Sequence, residues 1–244
     1  MNHSRTSLNQ TVEHLYLGVL VTAAYVVLAP RFIDRGYPGL GALLFVELFV
    51  LAPIVIAHLL VIARQLNRSW SLDNVILYRE KIGWKRFLLW YVIGLVAVNV
   101  TYIPLYPVGL FVRGELFTWL PEWYFNPGYG ATDIGLVANM FLLGIIIDGI
   151  IGPTMEELFF RGYLLPRMGY LKGWAPVVNG ALFGLYHFWQ PHNLIALVLV
   201  GTILSYIVWK TKNVYLGIAV HCTMNVVGAV GGYLAVVNGV FMAR

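Results

Sequence analysis

The residues best suited to chemistry lie in three short stretches of an otherwise apolar chain. Pro153 to Arg167, PTMEELFFRGYLLPR, brings Glu156, Glu157 and Arg161 together; Phe183 to His187 reads FGLYH, and His221 to Asn225 reads HCTMN. Charges in an apolar wall are costly and usually have a task. On a helix, adjacent side chains point about 100° apart, so Glu156 and Glu157 cannot face one partner. Glu157 and Arg161 stand at i and i+4, in the favourable order for an ion pair. Glu156 is then left to face a cavity, with Glu157 as its orienting partner. In a low-dielectric cavity an ionised Glu156 is costly unless cationic groups or hydrogen bonds offset the desolvation. A carboxylate so poised suits a general base for water. The plainer reading is that both glutamates satisfy helix ends and an arginine near an interface.

Counted from Leu171 in the GYLKG turn, Glu156 is fifteen residues back and His187 sixteen forward. At 1.5 Å per residue an antiparallel hairpin puts both roughly 23 Å from the turn, so they can meet. His221 lies eight to eleven residues past the turn at Lys210 to Asn213, a shallower position unless that turn projects or the helices tilt. Asn225 follows His221 by one turn, and the two offer hydrogen-bond donors for a developing oxyanion. The coherent scheme has Glu156 and His187 polarising a water that attacks a peptide carbonyl, with His221 and Asn225 holding the tetrahedral oxygen. Either histidine could protonate the leaving amine.

Two histidines and a glutamate also match a hydrolytic zinc site. The H-E-x-x-H pattern is absent, however, so no cofactor is expected and zinc is the alternative. The remaining polar residues have plainer readings. His192 reads as interfacial, His58 and Glu47 as bundle hydrogen bonding ahead of facing the cavity, Asp148 as paired with a neighbouring helix ahead of lining the cavity, and Asn139 and Asn179 as interhelical contacts. Cys222 and Ser205 carry no signature of a nucleophile.

The elements that must position these residues are membrane helices. Of the 244 residues 59% are hydrophobic and 11% charged, with mean hydropathy +0.75. Soluble domains carry roughly 25% charged residues. The expected class is therefore all-α, a polytopic transmembrane helical bundle in one integral-membrane domain, 1–244. A formal charge of +5 marks cytoplasmic loops here rather than nucleic-acid binding. The single cysteine allows no internal disulfide. Residues 1–14 read as a polar tail, and no small-x-small cleavage site follows the first apolar run, so that span is expected to stay.

Spans are expected at Leu15 to Pro30, Gly39 to Ala63 and Phe87 to Phe111, the last ended or kinked by Pro104 and Pro107. A kinked or broken segment should run from Ile134 to the GYLKG turn, with breaks at Gly144, Gly149, Gly152 and Pro153. Further spans are Trp174 to Trp189, Leu194 to Trp209, and one bent helix or two short ones over Val214 to Met242, giving seven or eight helical elements. The loop Arg64 to Arg86 carries the largest basic excess, which makes it and the N-terminus cytoplasmic. Arg161, Arg167, Lys172, Lys210 and Lys212 fall at or near inner ends. Arg113 to Asp133, acidic and aromatic-rich, reads as an outer interfacial loop.

The three motifs in order, E-E-x-x-x-R, F-x-x-x-H and H-x-x-x-N, resemble the type II CAAX prenyl protease and bacteriocin-processing family of integral-membrane proteins, the CPBP or Abi family. The resemblance covers roughly 134–230, a family-like catalytic core. It implies glutamate-dependent endopeptidase activity inside a membrane, with Glu156 and His187 activating water, His221 and Asn225 forming the oxyanion site, and Glu157 with Arg161 supporting the first glutamate. It also implies metal-independent chemistry and, as partners, membrane lipids and a peptide or protein substrate that some relatives take in prenylated form. The compartment expected is a prokaryotic plasma membrane. A non-catalytic scaffold or bacteriocin-immunity protein is the alternative; a transporter fits less well, for lack of a paired repeat.

Overall fold

Long apolar runs fold as helices because lipid offers their backbone groups no partner. The computed structural model describes residues 15–240, so the N-terminal tail and Met242 lie outside the described residues. It contains seven helices: α1 Tyr16–Ile33, α2 Gly39–Asn67, α3 Trp84–Leu116, α4 Ile134–Arg167, α5 Ala175–Tyr186, α6 Leu194–Thr211 and α7 Val214–Val237. Among the described residues β-structure is limited to one isolated bridge, Arg79 with Asn213. The expected all-α, multi-span class is borne out, and six of the helices are long and apolar enough to cross a membrane.

One expectation is corrected, and two alternatives left open by the sequence are narrowed. The stretch Trp174 to Trp189 is not a full span: α5 has 12 residues, about 18 Å. The prolines do not end α3, which continues through Pro104 and Pro107 to Leu116. Of its 33 residues only Gly94, Val98 and Gly109 are buried, so most of its surface is left for lipid, where prolines in a spanning helix are tolerated. The stretch after Ile134 is neither broken nor split. It stays helical for 34 residues by widening into π-helical turns at Ile147–Ile151 and Leu158–Leu164.

A third π turn lies in α2, at Glu47–Leu51. Each of the three is followed by one residue and then a proline: Pro53, Pro153 and Pro166. A proline donates no hydrogen bond, and its ring crowds the carbonyl four residues back. A wider turn relieves that crowding. Behind Pro166 the freed acceptor is the Gly162 carbonyl, which takes a hydrogen bond from Leu77 N at 3.0 Å.

That bond helps fasten the basic loop, residues 68–83, to one end of the bundle. Arg167 donates to the carbonyls of Val75 and Asn74, both at 2.9 Å, and Val214 N donates to Tyr78 O at 2.7 Å. Within the loop, hydrogen bonds from Arg79 and Ser71 hold the Asp73 carboxyl below its ordinary range. At the same end burial depresses the Lys212 ammonium, with Glu80 opposing the shift. The opposite end is built from the aromatic loop: Gly39 N donates to Tyr129 O, Leu40 N to Pro127 O and Tyr124 Oη to Phe188 O. Asp133 caps the start of α4 through Gly135 N, and Asn213 caps α7 through Leu216 N.

Helices α5 and α6 pack almost backbone to backbone. A Cβ on Gly180 would sit 2.3 Å from Thr202 N, and one on Gly184 2.4 Å from a Val198 methyl. Small residues permit such an approach between membrane helices. Gly180→Val should therefore lower unfolding stability in detergent by roughly 1–3 kcal/mol. An unchanged melting transition would show that the two backbones are not this close.

Candidate active site

Four helices deliver the site. From α4 come Glu156, Glu157 and Arg161, with relative exposures of 7%, 0% and 0%; His187 follows α5, at 7%, and His221 lies on α7, at 9%. Arg161 is thus wholly enclosed by the bundle. Its Nη1 donates to Glu157 Oε1 at 2.8 Å, its Nη2 to Gly201 O at 3.1 Å and its Nε to Ser205 Oγ at 3.3 Å. Its guanidinium carbon lies 4.2 Å from the centre of the Phe183 ring. Ser205 Oγ lies 2.8 Å from Asn179 Oδ1, and Asn179 Nδ2 donates to Phe160 O at 3.0 Å, so α4, α5 and α6 are joined around one cation. Asn179 is thus an interhelical contact as expected, whereas Asn139 lies exposed.

Glu157 Oε1 also meets His221 Nδ1 at 3.0 Å. A carboxylate paired with arginine accepts, so Nδ1 of His221 carries the hydrogen. Gly217 leaves the room for this arrangement, since a Cβ there would come within 2.6 Å of Glu157 Oε2.

Glu156 faces the other way. Tyr186 Oη donates to its Oε1 at 3.1 Å, His187 Nε2 is 3.7 Å from the same oxygen, and His221 Nε2 is 3.8 Å from Oε2. The depth argument for Glu156 and His187 is met, and His221 reaches the same level despite its shallower register. His187 Nδ1 lies 2.7 Å from Phe183 O. A carbonyl only accepts, so Nδ1 bears the hydrogen and Nε2 of the neutral ring presents its lone pair to Glu156. Asn225 Nδ2 donates to Asp148 O at 3.0 Å, which uses one amide hydrogen and leaves the second.

These groups line a cavity of about 320 Å³. It runs from Glu156 past Val200 and Leu197 to Leu40 and Gln190, toward the end of the bundle that carries the aromatic loop. Glu47 and Asp148 line it as well, the less favoured of the two readings that the sequence leaves open for each. Sequence reasoning missed Tyr186 altogether, although it stands inside FGLYH next to His187. The signal was available: Tyr186 is one residue from His187 on a short helix whose end meets Glu156.

The other candidates lie elsewhere. His58 bonds Tyr16 Oη at 3.0 Å, and the His192 ring sits edge-on to Phe125 with 5.1 Å between ring centres. Cys222 faces Thr154 Oγ1 at 3.7 Å. Among the described residues no three His, Cys, Asp or Glu side chains are grouped to hold a metal ion.

The fold and the site together define a polytopic helical membrane protein with a buried glutamate–histidine centre. Residues 138–227, which carry all three motifs, match the family described as type II CAAX prenyl endopeptidase Rce1-like. This bears out the resemblance over that stretch and points to an integral-membrane protease. No curated protein and no solved structure gives a match.

The buried pair yields a prediction. Arg161→Met strands Glu157 and should cost about 3–5 kcal/mol, whereas the double change Glu157→Gln with Arg161→Met should recover most of that. Equal destabilisation of single and double variants, read from unfolding in detergent, would contradict the pairing.

Proposed function

We propose that the protein is a glutamate-dependent intramembrane endopeptidase that hydrolyses a peptide bond with an activated water, near the C-terminus of a prenylated or otherwise membrane-associated peptide. The observation that carries this reading is the convergence of Glu156, His187 and His221 on one cavity. Separations of 3.7 and 3.8 Å are too long for direct hydrogen bonds and leave room for a small molecule to bond both partners.

In the proposed reaction a water donates one hydrogen to Glu156 and the other to His187 Nε2. Both are acceptors, so the water's lone pair turns toward the substrate carbonyl. Glu156 takes the proton as the oxygen attacks. Tyr186 holds Glu156 in place. The tetrahedral oxygen is met by the second amide hydrogen of Asn225 and by His221, whose Nε2 donates once the ring is doubly protonated. Glu157, with Arg161 behind it, orients that ring and balances its charge. The apolar wall of Val98, Phe141, Leu197, Val200 and Leu204 suits a lipid-like or hydrophobic chain beside the scissile bond.

The test is cleavage of a tagged candidate peptide by purified protein in liposomes. Glu156→Ala and His187→Ala should each lower the rate by about 10²-fold or more, and activity should survive chelation with no metal found in the active protein. Wild-type cleavage by both variants would overturn the assignment. Loss on chelation with recovery on adding zinc would favour the metal mechanism.

A further inference from the structure

The site contains a second pair of acids. Glu47 and Asp148 lie on different helices, α2 and α4, each within a π turn, and both line the cavity that holds Glu156. Glu47 is 6% exposed, and its Oε2 is buried without a hydrogen-bond donor among the described residues. The group within hydrogen-bonding reach is the carboxyl of Asp148. Two carboxylate oxygens are both acceptors and make a hydrogen bond only with a proton between them.

The leaving amine also needs a proton; in the proposed reaction the proton from water goes to Glu156 and the Nε2 hydrogen of doubly protonated His221 goes to the tetrahedral oxygen, so a further acid in the cavity would spare both. In their neutral forms both histidines hold their hydrogens on Nδ1, His187 toward Phe183 O and His221 toward Glu157, so neither offers a proton from the cavity-facing Nε2. The Tyr186 hydrogen is committed to Glu156.

We propose that Glu47 and Asp148 share one proton and form the acid that protonates the leaving nitrogen, an inference that rests on the hydrolysis proposed above. Water oxygen bonds to the carbonyl carbon and one of its protons passes to Glu156. As the C–N bond breaks, the nitrogen takes the shared proton from the pair. On product release the proton on Glu156 returns to the pair, and the second water proton leaves with the new carboxyl group. The groups that face the pair are Glu156, His221 and Tyr186.

The proposal is tested with one peptide sequence made in two forms, with an amide or an ester at the scissile bond. An alkoxide leaving group needs far less help from an acid than an amine. Glu47→Gln and Asp148→Asn keep size and hydrogen bonding but remove the transferable proton. Each should lower amide cleavage by about 10²-fold while leaving ester cleavage close to wild type. In the wild-type protein the ratio of amide to ester kcat/KM should fall as the pH rises and the pair loses its proton, a reading that needs no variant. Equal losses on both substrates, undiminished amide cleavage, or an amide-to-ester ratio that does not change with pH would overturn the acid role. Glu156→Ala should abolish both reactions; if it abolishes neither, the hydrolytic reading itself fails.

Discussion

Everything in the second half of the chain is arranged so that one guanidinium can lie in an apolar interior. Arg161 is fully buried, and a charge stranded there would cost several kcal/mol. It is therefore met from every side, by Glu157 on its own helix, the Gly201 carbonyl and Ser205 from α6, and the Phe183 ring from α5. Through Glu157 the same arrangement reaches His221 on α7. Four helices are thus registered against one cation. Moving any of them by a turn would leave a buried polar group without its partner, so the restraint that holds the bundle together also aligns the reactive groups.

The helices are also bent to fit. An ordinary α-helix has a fixed face, and a carboxylate one residue off that face points into lipid or into packing. The π turns before Pro53, Pro153 and Pro166 shift the face locally. They carry Glu47, Asp148 and Arg161 and flank Glu156 and Glu157. Proline chemistry and the placement of charge are therefore coupled in this fold, since the ring that disrupts the regular ladder lies just past the turn that presents an acid or a base.

How far the sequence could be read follows from the range of the forces involved. The spans were legible because hydropathy is a local property, and the motif residues because charges and histidines are rare in apolar runs. The meeting of Glu156 and His187 was legible from counting, since the short turn between their helices sets a common origin. Glu47 was not, because it belongs to α2, far along the chain, and counting gives no register across the 108 residues between it and Glu156. The length of α5 was misread because Phe188 and Trp189 extend the apolar run past the point where the helix stops. The three prolines following the π turns were visible as residues, yet a helix that widens and one that breaks leave the same trace in the letters.

The stopping point of α5 has its own chemical consequence. A helix that ends among buried side chains leaves its last carbonyls in need of a donor, and one of these, Phe183 O, is met by the His187 ring. The tautomer of a reactive imidazole is therefore set by where a backbone ladder terminates. One further helical turn would give that carbonyl an amide of its own and release the ring to rotate, so helix length works here as a chemical setting, and residues 188–190 act on reactivity through the termination they impose.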